Sequence, residues 1–212
     1  MIDPYHRVAG IYDRLFDNMN KGLRLAGIRM FRPASGMNIL DVGCGTGAHL
    51  ELYRRYDCHL YGIDLSPAML AVAQKRLGPN AQLDLGNATR MTYPDQTFDL
   101  VFSMLTLHEM DAPTRLAVIA EMARVLKPDG RVLLIDFHPG PYLPLKGWIS
   151  KLIISISELA AGRKHFQNYR QFIRSGGLEL TFNETALQLQ KTSILAGGTF
   201  AVCLIGHRLQ RS

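Results

Sequence analysis

The 212-residue sequence predicts a doubly wound α/β sheet that ends in an antiparallel hairpin. Three observations carry that expectation. Short apolar strands alternate with amphipathic helices over roughly 100 residues, a rhythm that a layered, mostly parallel sheet satisfies. A glycine-rich turn, "GCGTG" at 43–47, stands directly behind the first of those strands. Past Phe137 the alternation stops and gives way to a proline-rich connector, basic helical segments and two closing strands.

Taken in order, Ile39-Leu40-Asp41-Val42 reads as a strand, Gly43 to Gly47 as a loop, and a helix is expected from about Ala48. A glycine inside regular structure costs roughly 0.5–1 kcal/mol relative to alanine, so three within five positions imply a tight turn or a ligand lying close to the backbone. The loop also falls at the carboxyl end of a strand, where open α/β sheets bind ligands. Residues 58–63 read as a second, buried strand. Ser66 and Pro67 then open a helix, with serine as the N-cap and proline in the first turn. "AQLDLGNA" gives a third strand and "FDLVFSML" a fourth, the latter preceded by the turn "YPDQT".

A helix capped by Asp111 follows, with Leu116, Ile119, Ala120, Ala123 and Leu126 expected on its buried face and Lys127-Pro128 ending it. "RVLLIDF" is nearly all apolar, as expected of a strand in the middle of a parallel sheet. "HPGPYLP" then leads to a stretch in which Ile149, Leu152, Ile153, Ile156 and Leu159 recur at helical spacing. Residues 165–186 read as more helix, interrupted at Gly176-Gly177. "LQLQKTSIL" and "GTFAVCLIGH" are the closing strands, joined through Gly197-Gly198.

The length suits one domain with a full core. Cys44, Cys58 and Cys203 form no CxxC and no evident disulfide pattern, which fits a reducing cytoplasm. The N-terminus is charged from residue 3, unlike a signal peptide, and no apolar run is long enough to span a membrane. Charge is unevenly spread. Residues 1–36 hold six Lys/Arg against three Asp/Glu, residues 37–138 nine against twelve, and residues 139–176 six against one. Two basic segments therefore flank an acidic middle, as solvated helix faces or as a functional division of the chain.

Two ligands use a strand-glycine-helix turn of this kind. A dinucleotide fingerprint is met by Gly43, Gly45 and Ala48, with Asp64 placed to hold a ribose. The other candidate is S-adenosylmethionine, and it accounts for more of the chain. Four ordered motifs across 38–137 resemble those of class I S-adenosylmethionine-dependent methyltransferases. Asp41, Gly43, Gly45 and Gly47 match the acid-x-Gly-x-Gly-x-Gly motif. Asp64 matches the acid that accepts both ribose hydroxyls, a task suited to a carboxylate with two acceptors and no donor. "GNA" at 86–88 is similar to the adenine motif, with asparagine where many relatives carry aspartate. "RVLKPDGRVLLIDF" resembles the helix-turn-strand that closes the parallel part of the sheet.

The resemblance implies a Rossmann-like sheet of seven strands under a helical lid, with S-adenosyl-L-methionine as cofactor. The implied cofactor set is Asp41, Gly43, Cys44, Gly45, Gly47, Asp64, Leu65, Met69, Asn87, Ala88 and Ser103. It also divides one domain into an N-terminal lid (1–36), a cofactor-binding core (37–138), a helical cover (139–176) and C-terminal strands (177–212). Tyr12, in "YDRLF", stands where lid tyrosines of relatives approach the cofactor, or else packs.

Methyl transfer mainly requires alignment of the acceptor, and positioning alone can supply ~7–11 kcal/mol. No metal is required, and the sequence shows no metal-ligand spacing. A base helps where the acceptor must lose a proton. His108, in the loop after the fourth strand, is the candidate; the alternative is a histidine bonded to the backbone that shapes the loop. His6, His138 and His165 are weaker candidates.

The loop "SMLT" lacks the Asn/Asp-Pro-Pro-Tyr motif of amino-methyltransferases acting on adenine or glutamine, and no RNA-binding domain is added, so nucleic acid is not the expected acceptor. The layout most resembles quinone-biosynthesis C-methyltransferases and bacterial phospholipid N-methyltransferases. A small or lipid-like acceptor follows, with peripheral membrane contact through 148–160 as one reading of its apolar stripe and core packing as the other. The rival functions are a non-catalytic cofactor-binding protein and a nicotinamide-dependent oxidoreductase.

Overall fold

The computed structural model describes residues 12–145, 147–148, 150–152, 154–155, 162–178 and 185–208, with backbone only for 12–19. Seven strands form one sheet: β1 (Asn38–Val42), β2 (His59–Asp64), β3 (Ala81–Leu85), β4 (Phe98–Met104), β5 (Leu126–Phe137), β6 (Leu187–Leu195) and β7 (Phe200–His207). Their spatial order is β3-β2-β1-β4-β5-β7-β6. The first five are parallel, and β7 inserts antiparallel between β5 and β6. The order reverses at β1, which lies between β2 and β4. That is the switch point where such sheets leave a crevice beyond the strands' carboxyl ends.

Central strands β1, β4 and β5 are buried almost throughout, as their apolar runs require when both faces are covered. Helices α1 (Tyr12–Met30), α2 (Pro67–Leu77), α3 (Ala112–Val125) and α4 (Arg163–Arg174) are described around the sheet. Ser66 caps α2 by accepting from the Met69 N–H at 3.1 Å, ahead of Pro67. Asp111 caps α3 by accepting from the Thr114 N–H at 3.0 Å. Both helix starts read from the sequence are present, because N-caps are local devices.

Three expectations need correction. After the glycine loop there is no α-helix from Ala48; a 3-10 helix runs over Leu50–Tyr56 instead. Its period of three lines up Leu50, Tyr53 and Tyr56, and the first two are fully buried. The buried face of α3 is Arg115, Val118, Ile119, Met122 and Val125, while Leu116 is 41% exposed and Ala120 is exposed. The buried stripe is shifted by one residue from the expected one onto apolar Val118, Ile119, Met122 and Val125, and Arg115 on the same face lies with its guanidinium 4.8 Å from the centre of the Phe172 ring. Finally, α3 ends at Val125 and β5 begins at Leu126, so Lys127-Pro128 lies within the strand assignment, beside an irregularity between Phe98 and Leu100.

In the cover, Ile149, Ile153, Ile156 and Leu159 lie outside the described residues. Leu152, the remaining member of that stripe, is 62% exposed, and its neighbour Ile154 is the one buried. No helix among the described residues is long and apolar enough to cross a membrane.

Candidate cofactor and acceptor site

The carboxyl ends of β1, β2, β4 and β5 bring four loops together. Gly43 and Cys44 donate their N–H groups to the Ile63 carbonyl at 2.9 and 3.2 Å, which ties the glycine loop to β2. Gly43 has φ +74°, and a Cβ there would meet the Thr106 side chain at 2.5 Å, so this glycine lets the β1 loop close against the β4 loop. Gly45 differs. Its φ is +52°, but a Cβ would meet nothing within 4 Å. The positive φ accounts for glycine at this position, and the face of the backbone where a side chain would stand is open.

Asp64 stands at the end of β2. One carboxylate oxygen accepts from the Gly45 N–H at 2.8 Å and the other from the Ser66 N–H at 2.8 Å. The carboxylate is thus fixed beside the open face of the loop. Leu65, next to it, is 69% exposed, and exposed Leu85 ends the adjacent strand. Asn87 is exposed, with its side-chain oxygen accepting from Thr89 N–H at 3.0 Å, and Ala88 is half-buried beside it. A carboxylate, a bare loop and exposed apolar side chains on adjacent strand ends fit a ligand with a polar sugar and an apolar ring.

Other expected cofactor residues sit behind this surface. Asp41 is buried, and burial together with the nearby Asp64 pushes its carboxyl well above the usual range, while Arg24 pulls the other way. Cys44 is buried, its thiol likewise pushed up, and its sulfur lies against Gly62. Met69 is buried on α2, and the buried Ser103 hydroxyl donates to the Val42 carbonyl at 2.7 Å, tying β4 to β1 beneath the loop. The Tyr12 side chain and His6 lie outside the described residues.

Sequence reasoning missed the polar layer under the glycine loop. His49 is fully enclosed beside Phe102 (ring centres 4.5 Å apart), and burial, reinforced by Arg24, pulls its pKa down to about 3. Its two ring nitrogens and the Tyr53 hydroxyl are buried without a hydrogen-bond partner. Nothing in the local sequence marks His49 as interior; only the packing of α1 over the loop encloses it.

On the other side of the switch point, His108 lies on a 3-10 turn at Leu107–Glu109. Its Nδ1 is 2.7 Å from Asp136 Oδ1. Asp136, at the end of β5, also accepts from the backbone N–H groups of Leu107, His108 and Phe137, at 3.1, 3.2 and 2.8 Å. A carboxylate with these donors acts only as an acceptor, so the shared proton belongs to Nδ1. Both side chains are buried. Buried Arg115 completes the charge set: burial lowers its pKa, and Asp136 and Asp111 oppose that.

Helix α4 closes over this turn. Asn168 Nδ2 donates to the Glu109 carbonyl at 2.6 Å, Phe137 and Tyr169 rings are 5.2 Å apart, and His165 approaches His108 at 5.7 Å between ring centres. His138 lies elsewhere, its Nδ1 3.0 Å from the Gly198 carbonyl in the turn between β6 and β7.

The seven-stranded sheet with one antiparallel insertion and a glycine loop at its switch point is the fold of class I methyltransferases. Residues 39–130 match the family model described as a methyltransferase domain. The chain is 32% identical over 149 residues to phosphoethanolamine N-methyltransferase 3 of Arabidopsis thaliana, covering 68% of this chain and 29% of that one. It is 34% identical over 142 residues to demethylmenaquinone methyltransferase of Tropheryma whipplei, covering 64% and 58%. The chain thus spans less than two thirds of the length of these curated relatives.

Among solved structures, a SAM-dependent methyltransferase from Aquifex aeolicus superposes with a TM-score of 0.58 at 21% identity, covering 86% of this chain and 88% of that one. Geranyl diphosphate C-methyltransferase from Streptomyces coelicolor gives a TM-score of 0.65 at 13% identity, covering 91% and 82%. Residues 39–130 thus carry a methyltransferase domain, on the fold shared with these S-adenosylmethionine-dependent methyltransferases.

Proposed function

We propose that the protein transfers a methyl group from S-adenosylmethionine to a small or lipid-like acceptor. The observation that carries this is Asp64, fixed at 2.8 Å from both Gly45 and Ser66 N–H groups beside the open face of the loop. Asp64 would receive the ribose hydroxyls, Leu65 and Asn87 would meet the adenine, and the glycine loop would back the methionine end. When bound, S-adenosylmethionine supplies a methyl group on a sulfonium leaving group. The chain's own residues align the acceptor and exclude water, and α4 over the 107–109 turn is suited to that. His108 is the group we assign to taking a proton from the acceptor through Nε2, with Asp136 holding the imidazole in that tautomer. Relatives named for a phosphorylated amine and for a quinone precursor support an acceptor of either kind.

Asp64→Ala is expected to weaken S-adenosylmethionine binding about 5- to 150-fold, since unpaired ribose hydroxyls cost ~1–3 kcal/mol. Titration calorimetry on the folded variant reads it. Unchanged affinity, or wild-type preference for NADH, would overturn the cofactor assignment in favour of the dinucleotide reading.

We assign the second part of the reading, contact with a lipid surface, to the start of the cover. Leu143, Leu145, Trp148 and Leu152 are 62, 75, 59 and 62% exposed, and Lys151 lies over the Tyr142 and Trp148 rings. Apolar side chains beside basic ones provide the two signals that reversible membrane binding needs. Co-sedimentation with anionic vesicles should be strong at low salt, weaker at high salt, and lost in Leu152→Asp. No binding to anionic vesicles at low salt would leave the acceptor as a soluble molecule.

A further inference from the structure

We propose that His108, Glu109 and His165 form a binding site for a divalent first-row transition ion, with zinc as the best match. One ligand atom from each residue lies within 4.8 Å of the others. Tetrahedral zinc with bonds of about 2.0–2.1 Å keeps its ligands roughly 3.3 Å apart, so the three must draw in by about 1.5 Å at most. Glu109 and His165 are only partly buried, whereas His108 is buried and held by Asp136.

The surroundings have the features of a metal site. The Nδ1–H of His108 is committed to Asp136 at 2.7 Å, which orients the ring. Metal-ligating histidines nearly always have such a carboxylate or carbonyl partner behind them. The turn carrying His108 and Glu109 is fastened to the helix carrying His165 by the Asn168–Glu109 hydrogen bond at 2.6 Å. His165 and Asn168 are three apart and so share a face of α4. Two imidazoles and one carboxylate form a borderline-soft set that suits zinc, cobalt or nickel better than magnesium or calcium, which take oxygen ligands. Three protein ligands leave a fourth position to water or to an acceptor oxygen.

The site goes beyond the proposed methyl transfer and does not depend on it. It shares one atom with that reading, because Nε2 of His108 cannot hold a metal and accept a proton together. The turn would then have a proton-accepting state and a metal-held state, and the ion would act as a brake on acceptors that must be deprotonated.

The test is calorimetric titration of chelator-treated full-length protein with zinc, repeated with cobalt while following its visible absorption. One equivalent should bind, cobalt should give the intense bands of four-coordinate geometry, and His165→Ala and Glu109→Gln should each weaken binding at least 10-fold. Both substitutions fall at partly exposed positions, and circular dichroism establishes that each variant is folded. Absence of stoichiometric binding would overturn the proposal. So would one equivalent bound equally well by both variants, which would place the ion elsewhere, for instance on a cysteine. Neither titration needs an acceptor or the cofactor, so failure here leaves the methyl-transfer reading as it stands.

Discussion

Asp136→Ala is expected to destabilise the protein by about 3–5 kcal/mol, because it leaves several buried donors without their acceptor. The carboxylate accepts from four donors: the His108 ring at 2.7 Å and the backbone N–H groups of Leu107, His108 and Phe137. Its charge, with that of Asp111, also opposes the effect of burial on Arg115. Alanine leaves every one of these donors without its partner, in a place water does not reach. Each such buried group costs about 1–3 kcal/mol, and some relaxation keeps the total below the sum. Asp136→Asn should fall between, since its amide oxygen keeps two acceptor bonds while its NH2 confronts two N–H groups. Urea unfolding of the three proteins checks the ranking. An Asp136→Ala variant within about 1 kcal/mol of wild type would show that the β5 end and the 107–109 turn are not joined through this carboxylate.

His108→Ala is expected to lower turnover about 100-fold or more, because a positioned general base contributes 10²–10⁴-fold. Affinity for S-adenosylmethionine should stay within about twofold of wild type, since Asp64 is held by Gly45 and Ser66 while His108 is held by Asp136. Radiolabelled methyl transfer, screened over phosphorylated amines and quinone precursors, supplies the acceptor, and calorimetry supplies the affinity. The opposite result would be a parallel fall in turnover, cofactor affinity and thermal stability. That pattern would make His108 a residue that shapes the turn for α4, and Asp136 its anchor alone.

The glycine-loop side of the candidate site was legible from the sequence because its parts are contiguous. Asp41, the glycines and the turn into the next helix lie within ten residues, and Asp64 follows as the last residue of the next strand. Even here the sequence could not say which glycine serves which purpose. Gly43 is required by Thr106, from a different strand end, whereas Gly45 is bare toward open space. Cys44, Met69 and Ser103 carry the right motif positions, yet their side chains are enclosed by protein.

The acceptor side was half legible. His108 could be picked out by its place after β4, but Asp136 reads in sequence as one polar letter in an apolar strand. Its role appears only once β5 pairs with β4 and brings together residues that are 28 apart in the chain. His165 is only a weaker base candidate in the sequence, and docking of α4 sets it beside His108. The same docking gives Arg115, on the buried face of α3, an aromatic ring to lie against.

By itself the sequence determined the alternation of strands and helices, the caps, the glycine loop and the acid that follows it. These rest on backbone conformation and hydrogen bonds within a few residues, which local chemistry dictates. Tertiary structure alone decided the insertion of β7 between β5 and β6, the burial of His49, and the meeting of His108, Asp136 and His165. Those depend on which distant surfaces exclude water from one another. Apolar burial drives that choice without direction, so no single stretch of chain encodes it.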